Sequence, residues 1–306
     1  MFEQIDTIAA LRERLARRST PPEGGVHATE LAAPKPEGRR RGLVPTMGAL
    51  HAGHAELIGA ARRECDVVVV SIFVNPLQFD SPDDLTRYPR TLEADIALCR
   101  EAGVDVVFTP LPAEMYPEKP ECTIDVGRLG DHLCGKFRTG HFRGVATVVL
   151  KLLEIVQPDR AYFGEKDAQQ LAIVKRMTSD LNVPVTIVGV PTVREGDGLA
   201  LSSRNRHLGA EERGLAGALY QTLVEARRLL ADGERNAASV RSAAAEKIPH
   251  SKLLRLEYLE VVDAATLQPV ERVAGSIRIA GAMWVGSTRL IDNLEWHAPP
   301  EPGPSA

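Results

Sequence analysis

The sequence predicts an α/β fold, a parallel sheet with helices on both faces, followed by a smaller C-terminal α+β domain. Three observations carry this. Asp66 to Val74 reads DVVVVSIFV, a continuous β-branched run of the kind buried on both faces of a parallel sheet. Strand and helix patterns alternate from Gly42 to Val190. Near residue 193 the alternation stops, and two helical patterns are followed by three strand patterns.

Taken in order, residues 3–18 place Ile5, Ile8, Leu11 and Leu15 at helical spacing among arginines, which predicts an amphipathic helix. Residues 19–40 are rich in proline and glycine and read as a mobile, insertion-like loop. Gly42 to Val44 is a short strand ending in Pro45-Thr46-Met47-Gly48, with a helix from about Gly53 to Glu64. After the strand at 66–74 come a helix over 91–102, a strand over 104–108 and a helix over 144–156. A strand over 161–163, a helix over 167–180 and a strand over 183–190 complete the alternation. Residues 210–232 and 236–248 read as helices, and 255–262, 276–285 and 288–292 as strands. The expected domains are 1–192 and 193–297, with a disordered proline-rich tail at 298–306.

A chain of 306 residues that is 44% hydrophobic and 25% charged resembles an ordinary soluble protein, able to bury a core without disulfides or structural metal. Its net charge of −4 gives no general attraction to nucleic acid or anionic membranes, although a local basic pocket is compatible with it. The four cysteines form no C-x-x-C pair and no zinc spacing, as expected for reduced thiols. Met1 to Asp6 has neither the basic nor the apolar region of a signal peptide, and the longest apolar run is too short to span a bilayer. The expectation is a cytoplasmic protein with no membrane partner.

Three segments carry chemistry. The first, Thr46 to His54, contains His51-Ala52-Gly53-His54 between a parallel strand and a helix. Ligands bind at the carboxyl ends of strands in open α/β sheets, and a helix N-terminus offers free N–H groups to phosphate. Two imidazoles three residues apart can stabilise charge on a leaving pyrophosphate. A surface turn with solvated histidines, or a zinc pair lacking further ligands, are the competing readings. The second segment is Gly164-Glu165-Lys166-Asp167, again between strand and helix. Lys166 suits phosphate, while Asp167 can simply cap the helix. The third is Leu201-Ser202-Ser203-Arg204-Asn205 after a glycine-rich loop, fit to fold over a triphosphate or to act as a polar hinge.

Together these segments resemble the adenylate-forming and nucleotidyl-transferring superfamily with its H-x-G-H element. Longer runs single out one family. Val44 to His54, Ser71 to Phe79, Asp84 to Thr91, Gly140 to Val145, Phe163 to Leu171 and Asp197 to Asn205 are similar to the signatures of the pantothenate synthetases, in order and over roughly residues 41–295.

That resemblance implies a Rossmann-like domain for ATP and pantoate and a C-terminal lid. It implies a two-step reaction: pantoate attacks the α-phosphorus of ATP to give pantoyl adenylate and pyrophosphate, then β-alanine attacks to give pantothenate and AMP. Magnesium accompanies the ATP, and the chain is a homodimer. His54 and His51 are implied in phosphate chemistry with Lys166, Ser202, Ser203 and Arg204. Met47, Gly48, Ala49, Leu50, Ala52 and Gly53 are implied at the nucleotide, as are Gly164, Glu165, Asp167, Val193 and Leu201. Gln78 and Gln170, with Asn75, resemble the residues that hold pantoate and β-alanine. Asp95 is a possible magnesium neighbour or a solvated helix residue, and His141 a site wall or a structural residue. Ala168, Thr139 and Cys134 depart from the family's usual residues, none at a nucleotide or pantoate position.

Competing functions are a nucleotidyltransferase acting on a phosphorylated substrate, an RNA-binding synthetase-like module, and a non-catalytic relative. The first needs more cations than Gln78 and Gln170 supply, and the second is disfavoured by the acidic balance. The third requires loss of His54, Lys166 or Arg204, all of which are present.

Overall fold

A computed structural model describes residues 2–17 and 39–298. Nearly all of the loop expected over 19–40, and of the tail expected over 298–306, lies outside the described residues.

The elements run β1 (Glu3–Ile5), α1 (Ile8–Arg17), β2 (Arg41–Thr46), α2 (Ala52–Glu64), β3 (Val67–Ile72), α3 (Pro82–Arg87), α4 (Leu92–Glu101), β4 (Val106–Phe108), α5 (Pro112–Met115), α6 (Cys134–Phe137), α7 (His141–Val156), β5 (Arg160–Gly164), α8 (Ala168–Asp180) and β6 (Thr186–Val190). They continue as α9 (Ala210–Leu215), α10 (Ala218–Ala231), α11 (Ala237–Ala245), β7 (Leu254–Asp263), β8 (Ser276–Val285) and β9 (Thr288–His297). The described chain divides into two compact units. One takes Met1–Asp125, Gly140–Gly164 and Val174–Val190; the other takes Val126–Thr139, Glu165–Ile173 and Pro191–Ala306.

In the first unit all strand pairs are parallel, in the order β1-β4-β3-β2-β5-β6. Both faces are buried, which is why β3 has no polar alternation. Val68 and Val70 pack with Leu57, Ile58 and Ala61 of α2 and Cys99 of α4. Val69 points the other way and is equally buried, as are Leu43 and Val106. The expected sheet with covered faces is therefore present. It gains one strand that the pattern concealed: β1 has only three residues, too few to show a period. The Thr7 hydroxyl accepts from Ala10 N at 3.3 Å, so α1 starts after Thr7 and not at residue 3.

In the second unit β7, β8 and β9 form an antiparallel sheet. Leu223, Ala226 and Leu230 of α10 and Val240 and Ala244 of α11 bury Leu259, Val261, Ile277 and Ile279 against them. The helix expected over 210–232 is two: Glu212 accepts from Gly209 N at 2.8 Å, starting a short helix that ends before Gly217. Strand β9 runs five residues past the expected end, to His297 opposite Ser276. Among the described residues no helix is long and apolar enough to cross a membrane.

Ile58 is fully buried where α2 meets the sheet. Ile58→Ala is expected to lower unfolding free energy by about 2–5 kcal/mol, read from urea denaturation at unchanged slope.

Candidate active site

Between β2 and α2 the chain makes a turn with two consecutive left-handed residues, Gly48 (φ +80) and Ala49 (φ +51). Glycine takes this conformation freely, whereas for alanine it costs roughly 1–2 kcal/mol. A Cβ at Gly48 would also stand 3.0 Å from the Asp95 carboxylate. Asp95, on the first turn of α4, is 2% exposed. Its Oδ2 accepts from Ala49 N at 2.9 Å, and its Oδ1 accepts from Leu50 N at 2.8 Å and from the Thr91 hydroxyl at 3.1 Å. This corrects both readings of Asp95. It is not a solvated helix residue, and a buried carboxylate with both oxygens on backbone N–H groups does not fit a magnesium ligand. Among the described residues no cluster of three His, Cys, Asp or Glu side chains is arranged to hold a metal.

His51 is the N-cap of α2 and His54 its third residue, and they cap reciprocally. Gly53 N donates to His51 Nδ1 at 3.1 Å, and His51 N donates to His54 Nδ1 at 3.3 Å. Each Nδ1 is therefore an acceptor, which assigns the proton of each neutral imidazole to Nε2. The rings lie 4.2 Å apart. The expectation of free helix N–H groups is corrected here. The amides of Ala49 and Leu50 are taken by Asp95 of α4, and those of His51, Gly53 and His54 are engaged within the cap, the last with His51 O at 2.8 Å. The imidazoles, rather than those amides, are polar groups the turn can offer a phosphate.

Beside this turn lies a buried amide pair. Asn75 Nδ2 donates to Gln78 Oε1 and to Gly144 O, both at 3.1 Å. Gln78 Nε2 donates to Met47 Sδ at 2.8 Å, linking the pair to the turn. The Tyr116 hydroxyl donates to Asn75 Oδ1 at 3.0 Å. Burial pushes Tyr116 up to about 12, so it is a donor at neutral pH. Gly144 has a steric reason: a Cβ there would lie 2.2 Å from Leu77 O and 2.7 Å from Gln78 N. His141 donates from Nδ1 to Gln78 O at 2.7 Å, a support for the backbone that carries Gln78.

In the second unit, Lys166 Nζ is 3.9 Å from Asp167 Oδ2, with the lysine side chain 18% exposed and the aspartate 49%. Asn293 Nδ2 donates to Glu165 O at 2.9 Å and Lys166 O at 3.0 Å. The preceding residue, Asp292, takes Arg194 bidentately at 2.5 and 3.0 Å. Arg194 lies over the Tyr220 ring, 4.3 Å from its centre. One strand, β9, thus ties down both the Lys166 segment and the start of the Ser-rich loop. Within that loop Leu201 N donates to Val193 O at 2.9 Å. Ser202 Oγ accepts from Arg204 N at 3.3 Å, and Ser203 is buried. Gly198 (φ +88) is required twice, since a Cβ would also stand 2.0 Å from the Tyr220 ring. Arg213 bridges Glu195 and Asp197 at 2.6 and 2.5 Å, and its hydrogen bond holds the Asp197 carboxyl below its usual range.

The candidates therefore gather as His51 with His54, Met47 with Gln78 and Asn75, Lys166 with Asp167, and Ser202 with Arg204. Ala49 and Leu50 are buried and face Asp95 through their amides. Gly164 ends β5 opposite Val190. Gln170 is half-buried on α8, where its neighbour Gln169 donates to Leu129 O and His132 O, both at 2.8 Å. Sequence reasoning missed Tyr116, Gln169, Arg194, Asp292 and Asn293. The last pair had a readable signal, two polar residues amid the apolar run of a strand.

Known proteins supply the family. The model of the family described as pantoate-beta-alanine ligase matches residues 25–295. The pantothenate synthetase of Moorella thermoacetica is 53% identical over 96% of this chain and 98% of its own. The bifunctional pantoate ligase/cytidylate kinase of Thermosynechococcus vestitus is 58% identical over 82% of this chain, which spans only 50% of that protein. Among solved structures, pantothenate synthetase from Thermus thermophilus superposes with a TM-score of 0.84 at 46% identity, covering 96% of this chain and 99% of that one. Pantoate-beta-alanine ligase from Francisella tularensis, complexed with beta-gamma ATP and beta-alanine, does so at 0.74 and 33% identity, covering 96% and 97%. With its signature turn, its amide pair and its sheet order all in place over that length, the chain belongs to the pantoate–β-alanine ligase family.

Proposed function

We propose that this chain catalyses the ATP-dependent condensation of (R)-pantoate with β-alanine, giving pantothenate, AMP and diphosphate through pantoyl adenylate. The observation that carries the reading is a juxtaposition within one unit. Two histidines fixed as Nε2–H donors stand on the same turn as Met47, to which the buried Asn75–Gln78 pair is bonded. The donors suit an anionic phosphate, and the neutral amides suit the hydroxyls and carboxylate of a small acid.

In the first step a pantoate carboxylate oxygen bonds to the α-phosphorus, and the bond from that phosphorus to the pyrophosphate oxygen breaks. The carboxylate nucleophile has no proton to lose, so His54 and His51 act as charge stabilisers and not as bases. Gln78, Gln170 and Asn75 hold the acid. Lys166, Ser202, Ser203 and Arg204 neutralise the phosphates, with Gly164, Glu165, Asp167, Val193 and Leu201 at the nucleoside. In the second step the unprotonated amine of β-alanine attacks the acyl carbon and AMP leaves, the amine then releasing a proton. ATP enters with magnesium on its own phosphates, which lowers their negative charge. The reading includes a cytoplasmic homodimer. Four cysteines without a disulfide support the reducing compartment.

Measuring AMP formed from ATP and magnesium, with pantoate and with or without β-alanine, tests this. Turnover that needs both substrates, with pyrophosphate exchange on pantoate alone, is expected. A folded protein that binds ATP yet makes no AMP would reject the substrates and favour a nucleotidyltransferase. His54→Ala is expected to slow adenylate formation by about 10²–10³-fold with an unaltered circular dichroism spectrum. Gly144→Ala, by pushing on Leu77 and Gln78, is expected to raise the KM for pantoate about tenfold and that for ATP much less, read from initial rates.

A further inference from the structure

We propose that Asp95 is a positioning residue for nucleotide binding. Its buried carboxylate locks the left-handed Gly48–Ala49 turn and so sets where His51 and His54 stand. The inference rests on the adenylate-forming reading above, and assigns to the carboxylate a task other than metal binding.

Three features carry it. The amides of Ala49 and Leu50 are consecutive, and they meet the two oxygens of one carboxylate at 2.9 and 2.8 Å. Only a side chain with two adjacent acceptors satisfies both. An asparagine would offer one acceptor and turn an NH₂ toward an N–H, and an apolar isostere would leave two buried amides unmade. Second, Ala49 sits at φ +51, where alanine does not stay without compensation. The carboxylate supplies that compensation from a different element, α4, with Thr91 one helical turn earlier donating to its Oδ1. Third, the locked residues run directly into His51, whose amide and ring form the reciprocal cap with His54. The turn has no slack between Leu50 and the cap, so a displaced Ala49 carries both imidazoles with it. The Asn75–Gln78 pair meets the turn through the flexible Met47 thioether, which cushions it from a displaced Ala49.

Asp95→Asn keeps the volume and removes one acceptor. The expected result is a rise of about ten- to hundredfold in the dissociation constant for ATP with magnesium, read by calorimetry. The KM for pantoate should stay within about twofold, as expected where a residue has no shared partner with the acid. Adding Ala49→Gly to Asp95→Asn should recover part of the lost affinity, because glycine holds the left-handed conformation without help. A general loss of stability would not be relieved in this way. Thr91→Val removes only the hydroxyl, should weaken ATP binding a few-fold in the same direction, and decides the matter if Asp95→Asn does not fold. Unchanged ATP affinity in the variant that folds overturns the proposal. So does an equal loss for pantoate, which indicates general damage, or recovery in excess magnesium, which returns Asp95 to the metal. Calorimetry needs no turnover, so wild-type protein that binds ATP without forming AMP counts against the functional reading alone.

Discussion

The parallel sheet is buried on both faces, and that constraint decides where chemistry can occur. β3 presents Val68 and Val70 to one layer of helices and Val69 to the other, and its one polar side chain, the buried Ser71, stands next to its carboxyl end. Polar groups are therefore displaced to the carboxyl ends of the strands, where the chain must turn. Thr46, the last residue of β2, begins this change: its hydroxyl donates to Ser71 O at 2.8 Å and accepts from Gly48 N at 3.2 Å. From there the backbone turns through two left-handed residues, and the carboxylate that fixes them comes from α4. A dry sheet, a tight exit and a buried carboxylate follow from one another.

The same physics explains why a departure from the family's usual residues is tolerated. Cys134 is buried beside the Tyr258 hydroxyl at 3.2 Å and the Arg289 guanidinium at 3.7 and 3.8 Å. A buried guanidinium without a counter-charge would be costly. Here Glu257 accepts from Arg289 at 2.9 and 2.5 Å, and from Trp284 Nε1 at 2.9 Å. Arg289 is already neutralised, so position 134 needs no carboxylate of its own.

Much of this was legible in the sequence, and the illegible part has a common cause. Local periodicity revealed the sheet, its covered faces and the later unit of helices and strands, because each is a repeated pattern along one segment. Motif spacing singled out His51, His54, Lys166 and Arg204, and the family resemblance added Gln78. What spacing cannot reveal is a bond between segments far apart in the chain. Asp95 bonds residues 46 and 45 positions earlier, Tyr116 bonds Asn75 from 41 positions away, and Asn293 bonds Glu165 from 128. Each supports a recognisable motif from an element that carries no motif of its own. Asp95 illustrates the error this invites. An acidic residue near a phosphate motif suggests metal, whereas its burial and two backbone donors are properties of the fold alone.

The division of charge among the candidate residues argues for an acid that reacts as a nucleophile. Around Asn75 and Gln78 the bonds described above involve an amide, a tyrosine hydroxyl, a thioether, a backbone carbonyl and, on the Gln78 carbonyl, the His141 imidazole. Lys166 and Arg204 belong to other segments. An ammonium or guanidinium paired to the acid would stabilise the carboxylate most strongly before reaction, when its charge is whole. That interaction would weaken as the charge passes into the new bond to phosphorus, and so would raise the barrier. In the proposed reaction, neutral amides orient the acid with little such penalty. Cations are useful instead where negative charge grows, on the departing pyrophosphate. Imidazoles held as Nε2–H donors lie between these limits, able to donate to phosphate oxygens without a permanent positive charge. A site built to bind a phosphorylated second substrate would require the opposite arrangement, with cations where Asn75 and Gln78 now stand.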